Sequence, residues 1–185
     1  MKTTVVFLGA ALCLAPLAAA QTAGVREAAL ARVPLARSIG ADAQILKDLR
    51  TKNASGETME EIQRKDKEWM QNPQFPLRKT MSENSCAQRL RELTKDDVNV
   101  VEAILMDKHG ANVCVSAITS DYWQGDEAKF QKSFDADKEV FVDEPAFDQS
   151  SGLFAIQLSV LIRDGQSKVG ALTLTLRIKK QEIAR

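Results

Sequence analysis

VEAILMDKHGANVCVSAITSDYWQGDEAKF, residues 101–130, is the stretch on which the fold turns. Residues 98–106 and 112–118 carry apolar side chains with a period of two, as strands do. Between them DKHGA, with Asp107, His109 and Gly110, makes a tight turn, so the two segments form a β-hairpin. The second strand runs into TSDYWQGDEAKF, which holds the only tyrosine, one of two tryptophans and three carboxylates within seven residues. A helix over 126–134 should follow, with Phe130 and Phe134 on one face and Asp126 placed to cap it.

Further strands are expected at 138–143, 153–163 and 168–178. In the second of these Phe154, Ile156, Leu158, Val160 and Ile162 alternate with smaller or polar residues. In the third Leu172, Leu174 and Leu176 alternate with Thr173 and Thr175. DGQS at 164–167 joins this pair as a hairpin turn. Upstream, residues 25–70 read as three helical pieces, broken at Pro34 and Gly40 and again at NASG, 53–56, with Asp42 capping the second. Thr58 and Glu61 form a capping box for the third, on which Met59, Ile62, Asp66 and Trp69 share a face that points Trp69 into the core. NPQFP at 72–76 ends it, and a helix over 82–93 turns Cys86, Leu90 and Leu93 inward. The expectation is α+β: N-terminal helices packed on a mostly antiparallel five-stranded sheet with one apolar face.

Lys2, the apolar run from Val5 to Leu17 and Ala18-Ala19-Ala20 read as a cleavable secretion signal over 1–20, too short to span a bilayer as a helix. Cys13 falls within it. The expected organisation is therefore 1–20 signal, 21–97 helical segment and 98–185 sheet. Cleavage removes Lys2 and no acid, leaving one net negative charge, which steers the chain toward neither nucleic acid nor an anionic membrane. The processed chain keeps Cys86 and Cys114; export favours a disulfide between them, while spacing alone equally allows two buried thiols.

Catalytic chemistry finds little support. His109 is the only histidine and sits in a turn, and no H-x-x-x-H, C-x-x-C, G-x-S-x-G or phosphate-cradling glycine loop occurs. Asp121, Asp126 and Glu127 have no second acidic cluster evidently opposed to them, and an EF-hand would need Asp121, Trp123 and Gly125 at its first three ligand positions. No metal and no cofactor is expected. The motif suits recognition of a small polar ligand: Tyr122 and Trp123 offer apolar faces, a hydroxyl and an indole N–H, Asp121 or Asp126 accepts from an amine, and Lys129 meets a carboxylate. It equally suits a capped turn whose aromatics close the core.

From about residue 98 to 177 the chain resembles the Cache domain, the PAS-like extracytoplasmic sensor module of bacterial chemoreceptors and sensor kinases. The resemblance rests on the hairpin with its D-x-x-G turn, the S-D-Y-W-Q-G-D-E loop, and VFVDEPAFDQSSGLFAIQLSVLIRDGQSKVGALTLTL. It implies a periplasmic sensor contributing to signal transduction, with a pocket between the sheet and the loops after the second and third strands. Tyr122, Trp123 and Asp126 are then the leading ligand contacts, followed by Asp121, Lys129 and Asp148 of the FDQSS loop. The ligand is implied to be a carboxylate, amine or amino acid, and the partner a membrane sensor protein. No arginine lies between Arg91 and Arg163, unlike in amino-acid-binding members. A secreted module of this kind also fits an accessory domain that binds no small molecule and modulates a membrane sensor by contact.

Overall fold

Side chains that satisfy unpaired amides set the starts of three helices in the first half of the chain. The computed structural model describes residues 15–148 and 150–178, with side chains from residue 23 onward. Helix α1 (Ala15–Leu30) is followed by α2 (Val33–Gly40), which carries its proline in the first turn, where no amide bond is lost. Helix α3 (Ala43–Ala54) starts at Asp42, whose carboxylate accepts from the amides of Gln44 at 3.0 Å and Ile45 at 3.2 Å. Helix α4 (Met59–Gln71) opens with the Thr58–Glu61 capping box. Pro76 does more than end the preceding segment, because it opens a further helix, α5 (Pro76–Glu83), that periodicity did not reveal. Asn84 then caps α6 (Ser85–Thr94) through the amide of Ala87 at 2.8 Å. Most of the expected secretion signal, residues 1–14 with Cys13, lies outside the described residues. Among those described, no helix is long and apolar enough to cross a membrane.

The strands are β1 (Val100–Asp107), β2 (Asn112–Val115), β3 (Val140–Val142), β4 (Ala146–Asp148), β5 (Leu153–Asp164) and β6 (Ser167–Arg177). Every pairing is antiparallel; the order is β2-β1-β6-β5-β3, and β4 pairs with the start of β5. The sheet thus has six strands rather than five, since β4 is only three residues long and shows no readable alternation.

One face carries Ala103, Leu105, Ile156, Leu158, Val160, Ile162, Leu172, Leu174 and Leu176, and packs in one cluster with Ile39, Ile45, Leu49 and Leu90 of the helices. The close approach depends on Gly170, where a Cβ would collide with the Met106 carbonyl and the Leu49 side chain. The opposite face is buried as well, although alternation had pointed to one apolar face only. Its outer half, Ile104, Met106, Leu161 and Ala171, lies under Phe130 and Phe134. Its other half is polar and includes Ser159 and Thr173, whose hydroxyls are 2.8 Å apart.

Cys86 on α6 and Cys114 on β2 are disulfide-bonded, with Cα atoms 5.8 Å apart and a sequence separation of 28. A loop of that length contributes about 3–4 kcal/mol on the chain-entropy model. Replacing both residues by serine should lower the unfolding free energy in urea by that amount. A loss below about 1 kcal/mol would show the crosslink to be dispensable.

Candidate functional site

The loop after β2 folds back on the hairpin that precedes it. The Asn112 amide donates to the Tyr122 carbonyl at 3.0 Å and the Gln124 amide to the Gly110 carbonyl at 2.8 Å, which lays residues 122–124 alongside 110–112. Gly110 has φ +80° and meets Gly125 so closely that a Cβ would stand 2.5 Å from the Gly125 Cα. Helix α4 holds the same loop from behind: Asp66 accepts from the amides of Tyr122 at 2.8 Å and Trp123 at 2.9 Å, and the Trp69 indole donates to the Thr119 carbonyl at 3.0 Å. Burial pushes the Asp66 carboxyl above its ordinary range, with the two amides working against that shift and the charges of Asp121 and Asp126 adding to it.

These tethers turn both aromatics toward the core. Tyr122 is 1% exposed and packs with Ile62, Trp69 and Ala111. Its hydroxyl lies between Lys52 at 2.7 Å and Glu57 at 3.0 Å, and burial drives the phenol far above the usual tyrosine range. Burial disfavours the Glu57 charge, but the ion pairs with Lys52 and Lys65 and the Tyr122 hydroxyl outweigh it and hold that carboxyl below its ordinary value. The Trp123 indole donates to the His109 carbonyl at 2.8 Å.

A cavity of about 330 Å³ opens on the polar half of the second sheet face, lined in part by Asp121, Gln124, Glu127, Lys129, Asp148 and Gln157. Of the sequence-predicted contacts, the structure brings together Asp121, Lys129 and Asp148; Tyr122, Trp123 and Asp126 do not line this space. Asp126 is exposed and does not cap a helix, which corrects the sequence expectation. The reason is a turn closed by the Glu127 amide on the Gln124 carbonyl at 3.1 Å, which delays the helix to α7 (Ala128–Phe130), continued as a wider π-type turn over Gln131–Asp135. The position before the helix is therefore Glu127, whose side chain makes no capping bond.

Lys129 forms an ion pair with Glu127 at 3.1 Å. Burial raises the Glu127 carboxyl, and the ammonium beside it opposes that. Asp148 accepts from the Ser150 hydroxyl at 2.8 Å, the Ser151 amide at 2.8 Å and the Gln157 amide group at 3.3 Å. Burial works against its charge, but these bonds prevail and the carboxyl sits below its ordinary value. Beneath Ser150 lies Glu102 of β1, 1% exposed, accepting from the hydroxyls of Thr175 at 3.0 Å and Ser150 at 3.2 Å. Burial pushes its carboxyl up to about 7, with Asp148 adding to the shift and Thr175, Lys129 and Ser150 opposing it.

Asp143, Glu144 and Asp148 line the cavity together with Asp121 and Glu127, so the acidic group that sequence reading did not find opposite the motif does exist. Gln124, Gln157 and Glu102 were missed too. The only signals for them were a glutamine on the polar side of a strand and a glutamate inside the apolar run VVEAIL.

No protein-family model matches the chain, and no curated protein does. Solved structures do. The sensor domain of the V. cholerae histidine kinase DctB superposes with a TM-score of 0.52 at 11% identity, over 92% of this chain and 58% of that one. The E. coli DcuS sensor domain superposes with a TM-score of 0.50 at 13% identity, over 90% of this chain and 99% of that one. At such identities the likeness is one of fold: the chain has the α+β fold of PAS-like Cache sensor domains.

Proposed function

We propose that this protein is a periplasmic sensor domain that binds a small polar molecule and contributes to signal transduction, exported through a signal over 1–20. The observation that carries this reading is the cavity of about 330 Å³ between the second sheet face and the loops after β2 and β3, lined by convergent polar side chains. Its volume falls in the range of roughly 300–1,000 Å³ that small-molecule sites occupy. Asp121, Lys129 and Asp148 are its ligand contacts. Tyr122 and Trp123 act at one remove, by holding the loop that presents Asp121 and Gln124. Recognition rather than catalysis is the chemistry these groups fit.

The test is a thermal-shift panel of small carboxylates, amines and amino acids on the intact protein. At least one compound should raise the melting temperature, since a ligand at about 100 times its Kd adds ~2.7 kcal/mol. Ala146→Trp, at an exposed position of the cavity wall, should fill the space and abolish the shift without lowering the melting temperature of the free protein. If Asp126→Asn abolished the shift and Ala146→Trp did not, the site would lie elsewhere.

A second reading, an accessory domain acting through protein contact, is favoured by one feature. Phe147 and Phe154 are a paired, edge-on couple at the β4–β5 margin, 59% and 52% exposed. A panel without any response, together with loss of membrane-sensor binding in Phe147→Ser, would favour it.

A further inference from the structure

We propose that the cavity takes a small organic dication of the alkyl diamine class, an inference that rests on the ligand-binding reading above. Its walls carry the carboxylates of Asp121, Glu127, Asp143, Glu144 and Asp148 against one base, Lys129. That base is already engaged: its ammonium lies 3.1 Å from Glu127 and its side chain is 7% exposed. Among the described residues, the four other carboxylates have no cationic partner on the cavity wall.

A second, independent observation concerns Gln124. Its residue is fully buried, lines the cavity, and donates both amide hydrogens to Asp121, at 3.0 Å to the carbonyl and 2.6 Å to the carboxylate. Both atoms it faces there are acceptors, so the amide orientation is settled by the network and Oε1 must point away from them. That oxygen has no hydrogen-bond partner among the described residues. A buried acceptor left in this state is costly unless a donor reaches it.

The remaining polar groups tell the same way. The single Ser150 proton serves both Asp148 and Glu102, and the Gln157 amide donates to Asp148. Donors of the wall are thus spent on acceptors of the wall, and acceptors are left in excess. The ligand that completes such a site brings N–H donors and positive charge. Asp121 and Gln124 stand on the loop after β2, whereas Asp143, Glu144 and Asp148 stand on and before β4, so acceptors occupy two separate elements and call for two cationic centres. Among the described residues, no three acidic, histidine or cysteine side chains converge closely enough to hold a metal ion, which favours an extended organic cation over a point charge.

Titration calorimetry of the intact protein with 1,4-diaminobutane tests this, with 1-aminobutane, 1,4-butanediol and succinate as matched probes. The diamine should bind about tenfold or more tightly than the monoamine, and the diol and diacid should not bind. Asp121→Asn and Asp148→Asn should each weaken the diamine about tenfold with the melting temperature of the free protein retained. Succinate binding that Lys129→Met destroys would overturn the cation assignment and leave the sensor reading in place. So would absence of diamine binding while another panel compound still gives a shift that Ala146→Trp blocks. If no compound gives such a shift, both readings fall.

Discussion

Trp69→Ala should lower the unfolding free energy by about 3–5 kcal/mol and remove the proposed ligand response with it. Trp69 is completely buried, its ring centroid lies 5.9 Å from that of Tyr122, and the guanidinium of Arg78 on α5 stands 5.2 Å from it. Truncation leaves a large void in the small cluster of Ile62, Ala111 and Tyr122 that backs the loop after β2. It also strands the Thr119 carbonyl, which accepts from the indole at 3.0 Å. Thr119 itself borders the cavity, so loss of this tether frees the wall that carries Asp121. Trp69→Phe separates the two contributions: it keeps most of the volume, should cost only about 1–3 kcal/mol, and should retain weakened binding. Urea unfolding of both variants, with ligand titration at a temperature where each is folded, reads the outcome. A Trp69→Ala variant within about 1 kcal/mol of the parent would show that the loop stands without α4.

The second large effect concerns pH. Glu102 has its carboxyl raised from 4.5 to about 7 in the folded protein, chiefly by burial. Below the unfolded value both states are protonated and its contribution to stability is complete. As pH rises the unfolded chain ionises first, so that contribution is lost progressively from about pH 4.5 through pH 7, amounting to ~3 kcal/mol once the folded carboxyl has ionised. Glu102→Gln keeps the shape and stays neutral. It should therefore match the parent near pH 4 and exceed it by about 2–3 kcal/mol near pH 8. The hydroxyls of Thr175 and Ser150 rotate to meet either an acceptor or a donor, so the substitution leaves neither group unpaired. Denaturation curves of the two proteins at both pH values decide it. A pH-independent difference would mean that Glu102 titrates in its ordinary range.

Much of the scaffold could be read without coordinates because local rules and tertiary packing agree there. The alternation along 153–163 and 168–178 leads to two long paired strands, and the Thr58–Glu61 box forms where its spacing placed it. Trp69 is core, as its helical face required. The failures have physical causes. A three-residue strand has too few positions to show a period, and Pro76 looks like a stop signal whether or not a helix follows it. Period two shows that Thr173 and Thr175 lie opposite Leu172 and Leu174, but not that something covers them.

What the amino-acid sequence determined by itself is the order of the helices and strands other than α5 and β4, the helix-facing side of the sheet and the position of the aromatic and acidic loop, because each depends on residues within a few positions of one another. Only the tertiary structure decided which way that loop faces. Asp66, 56 positions before Tyr122, captures the amides of Tyr122 and Trp123, so the aromatics close the core while Asp121 and Gln124 are left to the cavity. Pairings of that range, like the disulfide, and the sharing of one cavity by Asp121 and Asp148 follow from packing free energy and leave no local pattern in the chain.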